Sequence, residues 1–110
     1  MIGQTARPPS KPDRPIAKEF DDTEVHLKWS KPEDDGGAEI TGYVIKYGKR
    51  IIGLFPSYST VPVAGNTTFF TFTDQLKRNT TYQFAVAAVN TAGQGEFSDL
   101  SDYIRTGDGK

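Results

Sequence analysis

Apolar residues recur at every second position through most of this chain, and no stretch repeats them at helical spacing. Val25, Leu27 and Trp29 alternate with Glu24, His26, Lys28 and Ser30. Tyr43, Ile45 and Tyr47 alternate with Gly42, Val44 and Lys46, and Tyr82, Phe84, Val86 and Ala88 alternate with Gln83, Ala85 and Ala87. A strand points successive side chains to opposite faces, so each set offers one face to a core and the other to water. Turn-forming clusters separate the sets at residues 31–38, 48–53, 65–66, 77–79 and 91–95. Strands are therefore expected near 15–20, 24–30, 40–47, 58–63, 68–73, 81–90 and 98–106. Seven short strands at that spacing predict an all-β fold, a seven-stranded antiparallel β-sandwich. Its core is expected to hold Val25, Leu27, Trp29, Tyr43, Ile45, Tyr47, Leu76, Tyr82, Phe84 and Val86.

A chain of 110 residues fits one such domain. It has no cysteine, which excludes disulfide staples and thiolate metal sites and leaves stability to the core. Thirteen basic residues against 14 acidic ones give a net charge of −1. That balance supplies no electrostatic reason to expect nucleic acid or an anionic membrane as partner. No apolar run approaches the ~20 residues of a membrane helix.

The ends read differently from the middle. Pro8, Pro9 and Pro12 stand among Gly, Ser, Lys and Arg in residues 1–12, a composition that favours extended backbone and reads as a linker or tether. Residues 13–106 form the domain, and residues 107–110 read as a second linker. Linkers at both ends fit a module within a longer array.

From Pro12 to Thr106 the chain resembles a fibronectin type III domain, an immunoglobulin-like sandwich. Trp29 ends a period-two strand and is followed by Pro32, as the core tryptophan of the family's second strand is. Tyr43, Ile45 and Tyr47 follow Gly42 as in its third strand. Leu76, Thr80 and Tyr82 sit at the family's Leu, Thr and Tyr spacing, which implies a tyrosine hydroxyl bonded to upstream backbone. Ala88, Asn90, Gly93, Gly95, Glu96 and Ser98 follow its sixth strand, loop and entry to the seventh. An immunoglobulin domain proper would set its buried tryptophan beside a disulfide, and this chain has no cysteine. Arg78 departs from the pattern by standing where proline is usual, and an extra residue between Phe72 and Leu76 is read as a bulge. The runs Glu33, Asp34, Asp35, Gly36, Gly37 and Ile40, Thr41, Gly42, Tyr43 are similar to domains of the titin and twitchin type in giant intracellular muscle proteins.

Catalytic chemistry finds little support. His26 is the lone histidine, set between inward Val25 and Leu27, and no second histidine or cysteine completes a base or metal set with it. No base is paired with any of the serines or threonines. Glu33, Asp34 and Asp35 lack the alternating acids and closing glutamate of a calcium loop, and the glycines after them read as a solvated turn. Catalytic, metal and cofactor residues are therefore read as none. Asn66 and Asn79 each open an Asn-Thr-Thr triplet that a secretory enzyme could glycosylate.

One connection is unusual. Ile51, Ile52, Leu54 and Phe55 crowd a hairpin link where polar residues are the rule, directly after Lys49 and Arg50. Exposed apolar clusters mark interfaces, so Lys49, Arg50, Ile51, Ile52, Leu54 and Phe55 form the candidate protein contact; the alternative is that Ile51 or Phe55 folds back and caps the open end of the core. The sandwich topology also sorts charge. Turns 31–38 and 91–95 share an end carrying Glu33, Asp34, Asp35 and Glu96; turns near residues 21, 48–57 and 77–79 share the other, with Lys49, Arg50, Lys77 and Arg78 diluted by Asp21 and Asp22.

The expected function is a non-catalytic structural and protein-interaction module of a larger cytoplasmic, muscle or cytoskeletal protein. Its partners are neighbouring domains and an unidentified protein, and the isolated domain is expected to be monomeric. Two alternatives stand beside it: a repeat of a cell-surface receptor ectodomain, and an accessory domain flanking a kinase or other enzyme.

Overall fold

Residues 5–50 and 57–107 are described in the computed structural model of the chain. They form β1 (Ile16–Glu19), β2 (Val25–Lys28), β3 (Gly42–Lys49), β4 (Tyr58–Ala64), β5 (Phe69–Phe72), β6 (Thr81–Asn90), β7 (Gly93–Gln94) and β8 (Ile104–Arg105). One sheet has the order β1-β2-β5; the other has the order β4-β3-β6-β7, with β8 also on β6. Every pairing is antiparallel. The fold is the expected all-β sandwich.

The period-two phase becomes a core between the sheets. Val25, Leu27 and Phe72 face inward from one sheet and meet Tyr43, Ile45, Tyr82, Phe84 and Val86 from the other, while Trp29, Ile40 and Leu76 close the periphery. Aromatic rings span the interlayer space: Trp29 meets Tyr43 edge-on at 5.4 Å, and Phe72 lies 5.2 Å from Phe84. Such contacts add about 0.5–1.5 kcal/mol each beyond the area they bury. Tyr47 is only half-buried, leaning edge-on against Phe72 at 5.0 Å beside a recess lined by Lys49, Ser59, Gln75 and Lys77.

Several local expectations are corrected. Ala85 and Ala87 occupy the outward phase of β6 yet are fully buried. They stand opposite Lys46 and Val44, and Lys46 Nζ lies 4.9 Å from the Tyr58 ring and 4.6 Å from the Phe97 ring. Longer neighbours thus roof over two methyl groups. Trp29 Nε1 is buried and finds no acceptor among the described residues, although an indole N–H ordinarily takes one. The extra residue after Phe72 makes a turn rather than a bulge, with Thr73 N–H donating to Gln75 Oε1 at 2.8 Å.

The last expected strand, 98–106, is mostly not a ladder. Gly95, Ser98 and Ser101 donate their N–H groups to Ala88, Val86 and Phe84 carbonyls, so three residues advance for every two on β6. The surplus residue turns a backbone carbonyl away at each step. Hydroxyls replace it: Val86 N–H donates to Ser98 Oγ and Phe84 N–H to Ser101 Oγ, both at 3.0 Å.

Candidate functional site

The two poles of the sandwich hold its loops. At the first, the turn after β2 meets the turn after β6, where Asn90 Nδ2 donates to Asp35 O at 2.7 Å. Asp34 and Asp35 spend a carboxylate oxygen each on the amides of Gly36 and Gly37, which shapes a tight turn. Among the described residues no group of three His, Cys, Asp or Glu side chains is placed to hold a metal ion.

The proline-rich segment is fastened to this pole. Arg7 N–H donates to Gly36 O at 2.8 Å, Ser10 N–H to Asp34 O at 2.9 Å, and Asn90 Nδ2 reaches Arg7 O at 2.7 Å. Pro9 and Pro12 are buried. Gly36 has a positive φ of 80°, and a Cβ there would stand 1.8 Å from Arg7 O; a Cβ on Gly95 would stand 2.0 Å from Pro9 O. Arg7 also lies 4.0 Å from Asp34, and Lys11 lies 3.2 Å from Asp99. Proline content signalled extended backbone here, but the glycines that admit it are remote in sequence and gave no sign of the contact. The strap sets two cations against the acidic pole.

The opposite pole gathers the turn between β1 and β2, the end of β3, the approach to β6 and the residues that follow β8 up to Gly107. Gly107 N–H donates to Asp22 O, Asn79 N–H to Gly107 O, and Arg50 N–H to Thr81 O. Lys49 closes β3 opposite Tyr82. Arg50 lays its guanidinium over the Tyr103 ring at 4.7 Å, and Arg105 Nη2 donates to Asn79 Oδ1. Arg50, Arg105, Asn79, Thr80 and Thr81 line an open recess of about 410 Å³. None of Lys49, Arg50, Lys77, Arg78 and Arg105 makes an ion pair among the described residues. Arg105 and Tyr103 were absent from the sequence-based set, because only the pairing of β8 with β6 brings them here. Ile51, Ile52, Leu54 and Phe55 lie outside the described residues.

The anchor of this pole is Tyr82, whose hydroxyl accepts the Lys77 N–H at 2.7 Å. Thr106 Oγ1 donates to Lys77 O at 2.6 Å and accepts from Thr80 N–H, tying the turn to the chain's last strand. Asn79 takes a positive φ of 54°, a conformation asparagine tolerates. His26 lies on the outer face of the three-stranded sheet, its Nε2 2.7 Å from Glu24 Oε2 and its ring stacked on Phe20 at 4.7 Å. No nucleophile–base pair forms among the described residues.

Comparison with known proteins matches this architecture. The Titin homolog of Caenorhabditis elegans is 36% identical over 83 residues, covering 76% of this chain and a share of the relative that rounds to 0%. Protein sax-3 of Caenorhabditis elegans is 34% identical over 98 residues, covering 89% of this chain and 8% of its own length. A crystal structure of domains from titin superposes with a TM-score of 0.82 at 27% identity, over 94% of this chain and 34% of that one. The chain spans less than a tenth of the length of these curated relatives. The sequence profile of the Fibronectin type III domain matches residues 10–102, and with the sandwich, the tyrosine anchor and these relatives on hand, the chain belongs to the fibronectin type III family.

Proposed function

We propose that this domain is a stiff spacer and protein-contact module within an intracellular multidomain protein of muscle or the cytoskeleton. Its membership of the fibronectin type III family supports a non-catalytic unit of a larger chain. The observation that carries the reading is the opposition of its poles. One presents Glu33, Asp34, Asp35 and Glu96, partly offset by Arg7 and Lys11 of the strap, and the other presents Lys49, Arg50, Lys77, Arg78 and Arg105, diluted by Asp21 and Asp22. Head-to-tail neighbours of the same polarity then meet with opposite signs. Similarity to titin-type domains supports the setting.

Exposed pairs contribute only about 0–1 kcal/mol each and are screened by salt, so the poles bias orientation rather than lock it. The apolar residues that follow Arg50 in sequence are the natural source of affinity, with the cations steering an acidic partner. Two copies joined in tandem test the idea by small-angle scattering. The spread of interdomain angles is expected to widen from low to high salt, and to widen at low salt on replacing Lys77 and Arg78 by Glu. An angle distribution indifferent to both changes overturns the orienting role.

A second reading, a repeat in a cell-surface ectodomain, draws on Asn66 and Asn79. Both are exposed and both open glycosylation triplets. Secretion from mammalian cells with a glycan mass at either residue supports it; an unmodified secreted product removes that support.

A further inference from the structure

Among the described residues, four edges of the two sheets are guarded and one is not. β4 carries Pro62 opposite Val44. The neighbouring Thr41–Gly65 bond, in which Gly65 N–H meets Thr41 O, places the absent N–H of Pro62 on the free side. β1 bears Lys18 and Glu19 and runs beside β8. β7 is two residues long and lies beside the strap at Pro8, and β8 is two residues long and bears Arg105. β5 has none of these devices. Residues 67–73, Thr-Thr-Phe-Phe-Thr-Phe-Thr, contain no charge, glycine or proline, and Phe69 is 64% exposed. Strong strand formers without charge on an open edge are the recognised hazard of sheet proteins.

The register shows which groups are open. Trp29 N–H donates to Thr68 O, so Thr68, Phe70 and Phe72 spend their backbone groups on β2. The N–H and C=O of Phe69 and Thr71 point the other way. Thr73 N–H, next in that phase, is already taken by Gln75 Oε1.

We infer that β5 is a homotypic docking edge that pairs antiparallel with β5 of a second copy of this chain. Opposite residues in a sheet share a face, so the twofold axis must pass through a residue rather than between two. An axis at Phe70 sets Phe69 against Thr71 of the second copy and Thr71 against its Phe69, which closes four N–H···O=C bonds. An axis at Thr71 instead needs the Thr73 amide that Gln75 occupies. The second copy is the fitting occupant because the segment is neutral and meets its own kind without repulsion, and each open donor faces an open acceptor. The result is one six-stranded sheet across two sandwiches, which departs from the monomer expected of the isolated domain.

Sedimentation of the 110-residue chain from micromolar to millimolar concentration tests this, together with amide exchange followed by NMR. A monomer–dimer equilibrium is expected, with the Phe69 and Thr71 amides gaining protection as concentration rises while Phe70 and Phe72 stay protected throughout. Thr71→Lys places a charge on the edge and is expected to weaken association by about tenfold or more. Its thermal midpoint at dilute concentration, matched to that of the parent, shows that the variant folds. A chain that sediments as monomer at millimolar concentration overturns the proposal. So does a dimer that a folded Thr71→Lys variant forms equally well, or one that leaves the Phe69 and Thr71 amides unprotected.

Discussion

The Lys77 N–H donates to the Tyr82 hydroxyl at 2.7 Å, across only five residues of sequence, and so pins the turn before β6 to the strand it enters. Tyr43 offers the contrast: its hydroxyl is buried with no partner among the described residues. One oxygen is used and the other is not. Tyr82→Phe is expected to lose about 1–1.5 kcal/mol, the net worth of one intramolecular hydrogen bond. Tyr43→Phe removes an unpartnered polar atom and is expected to match the parent or exceed it by up to about 1 kcal/mol. Urea midpoints that move together in the two variants would contradict this assignment.

Burial pushes the Tyr43 hydroxyl above the ordinary tyrosine value of 10.0. As pH rises, the unfolded chain gives up this proton first, while the folded chain retains it. Stability from this group is therefore complete below about pH 10 and declines as pH climbs through the unfolded value towards the folded one. The parent minus Tyr43→Phe difference in unfolding free energy should be flat from pH 7 to 9 and shift against the parent above it. A difference that stays flat at higher pH contradicts the burial effect.

Ser98 and Ser101 stand in for the carbonyls that the final stretch turns away from β6. Ser101→Ala leaves the N–H of fully buried Phe84 without its acceptor. The expected cost is about 1–3 kcal/mol, as for other orphaned buried donors. Ser101→Thr retains a hydroxyl and should recover part of it. A chemical-denaturation curve for Ser101→Ala that overlays the parent would show that water reaches this amide.

The strap depends on a missing side chain. Gly36→Ala sets a Cβ against Arg7 O and strains a φ of 80°. Limited proteolysis is expected to cut residues 5–12 faster in this variant, with the sandwich surviving as a resistant fragment. Cleavage at the parent rate would mean that the strap does not rest on Gly36.

The legible part of this molecule was its inner face. Trp29, Tyr43, Ile45, Tyr82 and Phe84 are buried because alternation over consecutive strands leaves them no other side to occupy. What alternation misreads is the outer face of β6. Ala85 and Ala87 are small enough to vanish beneath Lys46 and Val44, and nothing local in their sequence says so. The final strand was misread for a related reason, since its three-for-two step has no period-two signature. At the basic pole Lys49 and Arg50 were legible as neighbours in sequence. Arg105 was not, because it arrives through a pairing 24 residues distant from Thr81.

Fastening residues 7–12 to the acidic pole also stores length. Extended backbone reaches about 3.3–3.6 Å per residue, so releasing six residues lengthens the tether by at most roughly 20 Å. A pull on the amino end meets the Arg7–Gly36 and Ser10–Asp34 bonds before it meets any sheet. The strap is therefore expected to act as a mechanical fuse in series with the sandwich, yielding first and extending the tether while the core stays folded.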